Sequence, residues 1–540
     1  MAIQGGRAGH VRASLGLATV CGVLFLTFLD NTIVSVTLAD IQGRLHAGVV
    51  SLQWVVNGYA LVFAALMLTG GTLGDLLGRK RVMLVGVGIF CAGSVLAALA
   101  PNVDVLIAGR VVMGVGAAAS EPGTLSVIRH LYPDRAVRAR AVGIWAAVSG
   151  LALALGPVVG GVLVGVADWR AVFWFNLGFG LLAFGAAAWV LPESSDPEGR
   201  HIDLPGFVLG AGALACSAFG IILGETAGYT RWWVVALLAG SVFLGYVFTQ
   251  VESRTGDPVL VMSLFRNPTF SGANLIAFIN YFATFAIFFF CALYLQLIGS
   301  RTSVAVALMF VPMAAGLVLA STLTGRWVAV SGPAVPIVVG CLLGAAGTLA
   351  TGAVMGPHVT FLALAPVLGV AGVGFGMAVV PVTSSVLNVA PAERSGMAAS
   401  VTNTAREMGA VLGVAVLGAL VNTTLTSKLV ATMKALHIPS SFQGLVLTYV
   451  MTGQSPSSIG GVSTNNPVIK ALEAKITDAA YHGFLTGLRV ALELAGAMLV
   501  GGALIAAATV RRSRADPDSE APGPAAGPAG RPGPALSIDT

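Results

Sequence analysis

The chain carries the stretch Gly71-Thr-Leu-Gly-Asp75-Leu-Leu-Gly78-Arg79-Lys80-Arg81 between two long apolar runs, residues 52–72 and 82–100. Each run is long enough to cross a bilayer as a helix, which takes about 20 residues. Short cytoplasmic loops of membrane proteins accumulate Lys and Arg, so the three cations at 79–81 predict a loop on the inside. The stretch therefore indicates an all-α membrane protein.

The composition supports the same class. The 540 residues are 56% hydrophobic and 10% charged, with a mean hydropathy of +0.88, whereas a soluble domain carries about 25% charged residues. The net charge of +6 comes from cations in short loops that form no continuous basic face, so no nucleic-acid partner is expected. The five cysteines fall inside apolar runs without the spacing of a metal site.

The sequence predicts fourteen spans. They lie at residues 15–38, 52–72, 82–100, 104–128, 140–166, 170–191, 204–224, 232–251, 270–298, 303–325, 334–354, 359–389, 396–421 and 484–510. On the side that holds both termini there are eighteen Lys and Arg residues, and the short loops of the other side hold four. Since such an excess marks the inside, both termini are expected in the cytoplasm.

Polar loops divide the spans into groups of six, two and six. The division predicts two six-helix bundles with an inserted pair of helices, an arrangement that places a substrate site between the bundles near the membrane midplane. The predicted regions are a first bundle at 1–191, an inserted pair with cytoplasmic linkers at 192–269, a second bundle at 270–510 with a large outside loop at 422–483, and a disordered tail at 511–540.

Several further motifs can be compared with known families. They are Leu29-Asp-Asn-Thr-Ile-Val34, Trp54-Val55 with Tyr59, Arg110 with Gly114-Val115-Gly116, Gly143 with Gly156-Pro157 and Gly160-Gly161, Trp169-Arg170 with Phe173 and Asn176, and Glu393-Arg394-Ser-Gly396 with Asn403, Arg406 and Gly409. With the 71–81 loop, they resemble the fourteen-span drug:proton antiporters of the major facilitator superfamily. The chain departs from that pattern at Met113, where Gln is usual, at Ala152, where Gly is common, and at Gly178, where Pro is usual.

The resemblance implies a proton-coupled antiporter that exports amphipathic small molecules or drugs from the cytoplasm or inner leaflet by alternating access. The expected partners are protons, membrane lipids and lipophilic substrates, cations among them, and the protein is expected as a monomer in a bacterial plasma membrane. Two alternatives stay open: a dedicated exporter of one endogenous lipid or metabolite, and a proton-coupled importer. No nucleotide loop, zinc motif or nucleophile motif occurs in the sequence, so neither enzyme activity nor a cofactor is expected.

Four charged residues inside the spans are candidates for proton coupling: Asp30, Arg110, Glu121 and Glu407. A charge at membrane depth costs several kcal/mol unless it is paired or faces a wet cavity. Asp30 and Arg110 both lie in the outer halves of their spans and can interact. Glu121 follows Arg110 on nearly the same helix face, about 16 Å further along. The alternatives are a structural ion pair for Asp30 and capping of the backbone freed by Pro122 for Glu121.

Eight residues are candidates for substrate binding: Asp30, Tyr59, Glu121, Phe282, Phe285, Phe289, Asn403 and Arg406. The phenylalanines form one stripe on the ninth span, and aromatic side chains suit an adaptable apolar site. The alternative is a stripe that faces lipid or a neighbouring helix. Arg406 and Glu407 are adjacent, so their side chains point in different directions and one of them is expected to face the central cavity.

Two glycine-rich segments are expected to control conformational change. The 71–81 loop is a candidate latch, in which Asp75 pairs with a cation or a helix N-terminus. Its residues are Gly71, Asp75, Gly78, Arg79 and Lys80. In span five, small residues allow close helix approach and proline bends the helix, so the resemblance implies a seam against proton leak at Gly143, Gly156, Pro157, Gly160 and Gly161.

Overall fold

A computed structural model describes residues 7–193, 204–255, 260–299, 301–391, 395–436 and 467–510. All regular secondary structure in these ranges is helical. The predicted tail at 511–540 lies outside the described residues, as do residues 194–203 of the predicted linker.

The first half of the chain forms eight helices. They are α1 (Arg7–Ile33), α2 (Leu38–Leu45), α3 (Val49–Leu77), α4 (Arg79–Ala98), α5 (Val103–Ser120), α6 (Pro122–Leu131), α7 (Arg135–Val166) and α8 (Arg170–Val190). A 3₁₀ turn at Val34–Val36 follows α1. Helices α5 and α6 together form one span that breaks at Glu121, because Pro122 has no N–H to donate to the preceding turn.

The inserted pair and the second half follow. They are α9 (Leu204–Ala227), α10 (Trp232–Glu252), α11 (Pro268–Ala286), α12 (Ala292–Leu297), α13 (Ser303–Ser331), α14 (Ala334–Val354), α15 (Phe361–Val389), α16 (Ser395–Ala435) and α17 (Pro467–Thr509). A π-helical segment, Ile287–Cys291, joins α11 to α12. Such single turns are frequent at functional sites, and its phenylalanine-rich sequence had suggested only an ordinary helix.

Thirteen helices in the described ranges are long and apolar enough to cross a membrane, and a shorter apolar helix covers Val208–Ile221. These fourteen segments confirm the predicted all-α membrane fold. Large apolar side chains point outward, as with Trp189 at 87% and Leu362 at 84% exposure. Exposed apolar surface of this extent is stable only in lipid, since a soluble protein would aggregate through it.

Helix packing repeats between the two halves. In the first half α5 packs on α3 and α4, α4 on α8, and α1 on α7; in the second half α15 packs on α13 and α14, α14 on α17, and α11 on α16. The two halves meet where α7 packs on α13 and α3 packs on α16. This correspondence is that of two related bundles whose interface runs through the middle of the molecule.

Glycine pairs at equivalent places allow the closest approaches within each bundle. A Cβ built on Gly86 of α4 would lie 2.7 Å from the Gly116 oxygen of α5. In the second bundle, a Cβ on Gly340 of α14 would lie 2.9 Å from the Gly374 oxygen of α15. Both distances are shorter than real contacts allow, so each helix pair depends on glycine there.

The inserted helix α9 lies against both bundles, since it packs on α3 and on α16. The Trp54 ring of α3 and the Phe219 ring of α9 have centroids 4.9 Å apart. Helix α10 packs mainly on α9 and is largely exposed, which places it at the lipid-facing perimeter.

Helices α16 and α17 are longer than predicted, because residues 422–435 and 467–483 of the expected loop are helical. At 41 residues, α16 is about 60 Å long and exceeds the roughly 30 Å hydrocarbon core. Buried apolar residues recur every four positions at Leu425, Leu429 and Met433. That spacing forms one apolar face, which packs on α17. Residues 437–466 lie outside the described ranges.

Candidate functional site

The first polar network lies inside the first bundle and joins Asp30 to Arg110. The Nη1 group of Arg110 donates to Asp30 Oδ2, and Asn176 Nδ2 of α8 donates to Asp30 Oδ1 over 2.7 Å. Asp30, Arg110 and Asn176 are fully buried. The expected contact between Asp30 and Arg110 is therefore present, and an ion pair neutralises both charges within one bundle.

Arg110 is also held by α3. Its Nε donates to the Val55 oxygen over 2.9 Å, and its guanidinium carbon lies 4.5 Å from the centroid of the Tyr59 ring. The Tyr59 hydroxyl donates to the Thr27 oxygen of α1 over 3.0 Å. This first network thus ties α1, α3, α5 and α8 together, and Tyr59 belongs to it.

A second network crosses between the bundles through two carboxylates. Glu121, at the α5–α6 break, accepts a 3.2 Å hydrogen bond from Asn403 Nδ2 of α16. Glu407 of α16 accepts a 3.0 Å hydrogen bond from Asn31 Nδ2 of α1. Each carboxylate is therefore bonded by an asparagine of the opposite bundle. The Oε2 atoms of Glu121 and Glu407 have no hydrogen-bond partner in the described part of the chain.

Arg406 supplies the positive charge of the second network. Its Nη1 donates to Asn403 Oδ1 over 3.1 Å, and its Nη2 donates to Thr383 Oγ1 of α15 over 2.5 Å. Its guanidinium carbon lies 5.6 Å from the centroid of the Tyr281 ring of α11. Because Asn403 receives from Arg406 through Oδ1, its Nδ2 is directed to Glu121. Arg406 and Glu407 are both buried, and they reach different partners.

The break at Glu121 is fixed by local contacts. Thr124 Oγ1 donates to the Glu121 carbonyl oxygen over 2.6 Å and accepts from Trp145 Nε1 of α7 over 3.0 Å. The Glu121 carbonyl at the break is therefore bonded by a neighbouring side chain, while the Glu121 carboxylate reaches the second bundle.

The aromatic candidates lie along α11 and the π-helical segment. Phe282, Phe285 and Phe289 are each at most 3% exposed, so the stripe faces neighbouring helices and not lipid. Phe285 stacks on Tyr281, the ring beneath Arg406, with centroids 6.0 Å apart. Phe289 lies edge-on to Phe290, with centroids 4.8 Å apart. The stripe thus continues from Arg406 along the second bundle.

The span-five glycines form a seam on α7. A Cβ on Gly156 would collide with Thr32 of α1, and one on Gly160 would lie 2.5 Å from the Ile33 oxygen. A Cβ on Gly161 would instead collide with Ala307 of α13, in the other bundle. Pro157 lies within α7, and Gly143 lies in the same helix nearer its start. The motif therefore allows α7 to pack closely on α1 of its own bundle and on α13 of the other bundle.

The candidate latch is closed by a residue that sequence reasoning missed, Glu193. Gly78 separates α3 from α4 with φ +106°, a conformation that side chains with a Cβ rarely adopt. Glu193 Oε1, just after α8, accepts from the Lys80 backbone N–H over 3.1 Å, and Lys80 Nζ donates to the Ala188 oxygen over 2.6 Å. A carboxylate at the start of α4 is favourable for the helix dipole.

The remaining latch residues are placed by the helices. Gly71 lies in α3, where a Cβ would be 4.0 Å from Ser400 Oγ of the second bundle, and Arg79 begins α4. The Asp75 side chain lies outside the described residues, so its predicted pairing stays a prediction.

A further contact joins the bundles at the predicted outer end. Gln296 Nε2 of α12 donates to the Val36 oxygen over 2.7 Å, and Gln296 Oε1 accepts from the Ala39 N–H over 3.3 Å. One buried side chain therefore satisfies two backbone groups beside the 3₁₀ turn of the opposite bundle. A lone Gln near the end of an apolar run gives no sequence signal of this role.

Comparisons with known proteins agree with this architecture. The chain is 31% identical over 485 residues to the multidrug resistance protein Stp of Mycobacterium tuberculosis, covering 89% of both chains. It is 30% identical over 513 residues to the tetracenomycin C resistance and export protein of Streptomyces glaucescens, covering 94% of this chain and 92% of the relative.

A solved structure extends the comparison to the fold. A bacterial homologue of the human lysosomal transporter Spinster, inward-facing and unoccupied, superposes with a TM-score of 0.60 at 17% identity, covering 94% of this chain and 99% of the other. At that identity the likeness concerns the fold alone. The sequence model of the Major Facilitator Superfamily matches residues 20–414. The chain therefore belongs to the Major Facilitator Superfamily of membrane transporters, among relatives that are drug and antibiotic efflux proteins.

Proposed function

We propose that the protein is a proton-coupled antiporter that exports lipophilic small molecules from the cytoplasm or inner leaflet by alternating access. The observation that carries the proposal is the pair of buried carboxylates, Glu121 and Glu407, each bonded to an asparagine of the opposite bundle. The efflux relatives at about 30% identity support drug-like substrates. The protein acts in the plasma membrane with both termini in the cytoplasm, driven by the proton gradient without a cofactor.

The two carboxylates couple protons to movement because protonation changes what they can bond. A carboxylate only accepts hydrogen bonds, whereas a carboxylic acid also donates one. Gain of a proton at Glu121 removes the charge that strengthens its bond from Asn403, and the same holds for Glu407 and Asn31. Protonation therefore weakens two contacts between the bundles, and deprotonation restores them.

Substrate competes with protons for the same charges. The second network holds two carboxylates, Glu121 and Glu407, and one guanidinium, Arg406. A lipophilic cation between the bundles compensates the excess negative charge, which favours release of a proton. In the outward-open state incoming protons displace the cation, and the protonated carrier returns.

The gradient is large enough for this cycle. A proton that enters releases about 2.3 kcal/mol per 100 mV of membrane potential and about 1.4 kcal/mol per pH unit. A tenfold substrate gradient costs about 1.4 kcal/mol, and export of a monovalent cation costs about 2.3 kcal/mol more per 100 mV of membrane potential. With one proton per cycle the pH difference alone drives export, and with two protons the membrane potential contributes as well.

The Asp30–Arg110 pair is the other candidate for proton coupling. Its hydrogen bonds in the described part of the chain stay within the first bundle, so its proton exchange would not by itself change a contact between bundles. Its role in the proposed mechanism is to hold α1, so that Asn31, the next residue, faces Glu407.

A dedicated exporter of one metabolite is the second candidate function. The Streptomyces glaucescens relative is named for resistance to and export of a single compound, tetracenomycin C. The two candidates share the same coupling mechanism, and a panel of unrelated substrates separates them. An importer would be recognised by the opposite sign of proton flux when substrate is added.

Transport by purified protein in sealed liposomes tests the proposal. We expect tetraphenylphosphonium, a lipophilic cation, to accumulate against its gradient when protons flow the other way. Glu121→Gln and Glu407→Gln should abolish this response, because glutamine cannot exchange a proton. Glu493→Gln, which changes an exposed glutamate of α17, is the matched control and should transport normally. Wild-type transport that ignores any imposed pH or voltage difference would refute the proposal.

A further inference from the structure

Two buried amides on α3 are not used by the proposed coupling mechanism. Gln53 and Asn57 are both 0% exposed. Their four side-chain nitrogen and oxygen atoms have no hydrogen-bond partner among the residues that the structure describes. A buried amide without a partner costs about 1–3 kcal/mol for each missing bond. Two such residues one helical turn apart therefore point to a hydrogen-bonding ligand that these amides bind.

The position of Gln53 places the two amides at the interface between the bundles. A Cβ built on Gly418 of α16 would collide with Gln53 Nε2, so the amide reaches the surface of the second bundle. Asn57 lies four residues further along α3 and shares this face. The neighbouring Trp54 faces α9, and Tyr59 faces Arg110. The amide face is therefore directed to α16, on the side where the bundles separate during alternating access.

Aromatic side chains adjoin the amides. Phe290, in the π-helical segment, lies 3.4 Å from the same Cβ position on Gly418 that Gln53 approaches. Gln53 and Phe290 thus meet across Gly418, and Phe289 lies edge-on to Phe290. The neighbourhood offers amide donors, amide acceptors and aromatic rings, and it contains no charged group among these contacts.

We infer that Gln53 and Asn57 are specificity-determining residues that hydrogen-bond the carbonyl and hydroxyl groups of aromatic substrates stacked against Phe290. This inference rests on the proposed function, since it identifies a substrate class for transport between the two bundles. An amide can donate and accept at once, so it pairs with hydroxyl and carbonyl groups alike. A site built to bond such groups discriminates against molecules that lack them, because its buried polar atoms then stay unpaired.

Two aromatic cations separate this role from a structural one. Doxorubicin carries carbonyl and hydroxyl groups, whereas tetraphenylphosphonium has no hydrogen-bonding group. In proteoliposomes with an imposed pH gradient, we expect Asn57→Leu and Gln53→Met to raise the KM for doxorubicin about tenfold, the equivalent of one good hydrogen bond. The KM for tetraphenylphosphonium should not rise, because the variants remove amides that this cation cannot pair. Asn274→Leu is the control, because the contacts of Asn274 lie within the second bundle, and both probes should keep their KM.

The outcomes are distinguishable. Equal losses for both probes, or no change for either, would overturn the assignment of Gln53 and Asn57 while leaving proton-coupled export intact. Failure of the wild type to carry either probe under the gradient would instead refute the proposed function, and the inference with it. Thermal unfolding in detergent identifies a variant that does not fold. If Asn57→Leu does not fold, Asn57→Thr, which keeps one polar group, takes its place. We expect the same selective rise in the KM for doxorubicin.

Discussion

Asp30 and Asn31 are neighbours on α1, yet they belong to different polar networks. Asp30 bonds Arg110 and Asn176 inside the first bundle, whereas Asn31 reaches Glu407 in the second. Consecutive helical residues point about 100° apart, so one turn of α1 serves both networks. Through this turn, the ion pair holds Asn31 in position for the contact between the bundles.

Asp30→Asn should destabilise the protein strongly. The substitution leaves the buried Arg110 charge without its carboxylate, which typically costs about 3–5 kcal/mol of unfolding free energy. Thermal unfolding in detergent measures the effect. The double variant Asp30→Asn with Arg110→Gln removes both charges and should recover much of the loss. A single Asp30→Asn variant as stable as the wild type would contradict the ion-pair account.

Asn31→Leu should separate coupling from transport. Glu407 then loses its hydrogen-bond partner on the first bundle, and loss of a hydrogen bond to a charged group costs about 1.5–3 kcal/mol. We expect gradient-driven transport to fall about tenfold or more, while substrate exchange at equal pH continues. Asn280→Leu, which changes an amide bonded within the second bundle, is the control. If both activities of Asn31→Leu fell together, Asn31 would have no specific role in coupling.

At the scale of elements, α7 and α12 each make a close contact with the opposite bundle. Helix α7 contacts α1 through Gly156 and Gly160, and it contacts α13 through Gly161. Helix α12 contacts the opposite bundle through the two hydrogen bonds of Gln296. Of these, the contacts of Gly161 and Gln296 join the two bundles at the predicted outer end.

Gly156→Ala should open the seam of α7. The added methyl group collides with Thr32, and overpacking of this kind costs about 1–3 kcal/mol. We expect a lower unfolding temperature and a faster proton leak through liposomes in the absence of substrate. Gly178→Ala is the matched control, because no described atom lies within 4 Å of that Cβ position. A tight, stable Gly156→Ala variant would show that the close approach is not needed.

Gln296→Leu should favour the state that is open at the predicted outer end. The substitution removes both hydrogen bonds that hold Val36 and Ala39 to α12. Spin labels at Arg44 and Thr302, both exposed, should report a longer distance population in double electron–electron resonance. An unchanged distance distribution would mean that Gln296 does not hold this end closed.

For the whole molecule, the sequence predicted the membrane fold because span length and loop charge act locally. Charged residues within apolar runs likewise identified Asp30, Arg110, Glu121 and Glu407. The contact between Asp30 and Arg110 was expected as well. The asparagine partners of the carboxylates were not predictable, since the bond from Asn31 to Glu407 joins residues 376 positions apart and neutral amides give no signal in an apolar run. The extension of α16 was missed because residues 422–435 mix apolar with polar side chains, and the apolar face appears only once α17 packs on it.

Substrate and protons should compete for the carboxylates that join the bundles, Glu121 and Glu407. Proton release on substrate binding tests this most directly, with purified protein in weakly buffered detergent solution and a pH indicator. We expect tetraphenylphosphonium to release protons from the wild type, and the double variant Glu121→Gln with Glu407→Gln to bind the same cation without release. Substrate binding with no proton release from the wild type, or equal release from the double variant, would contradict the account.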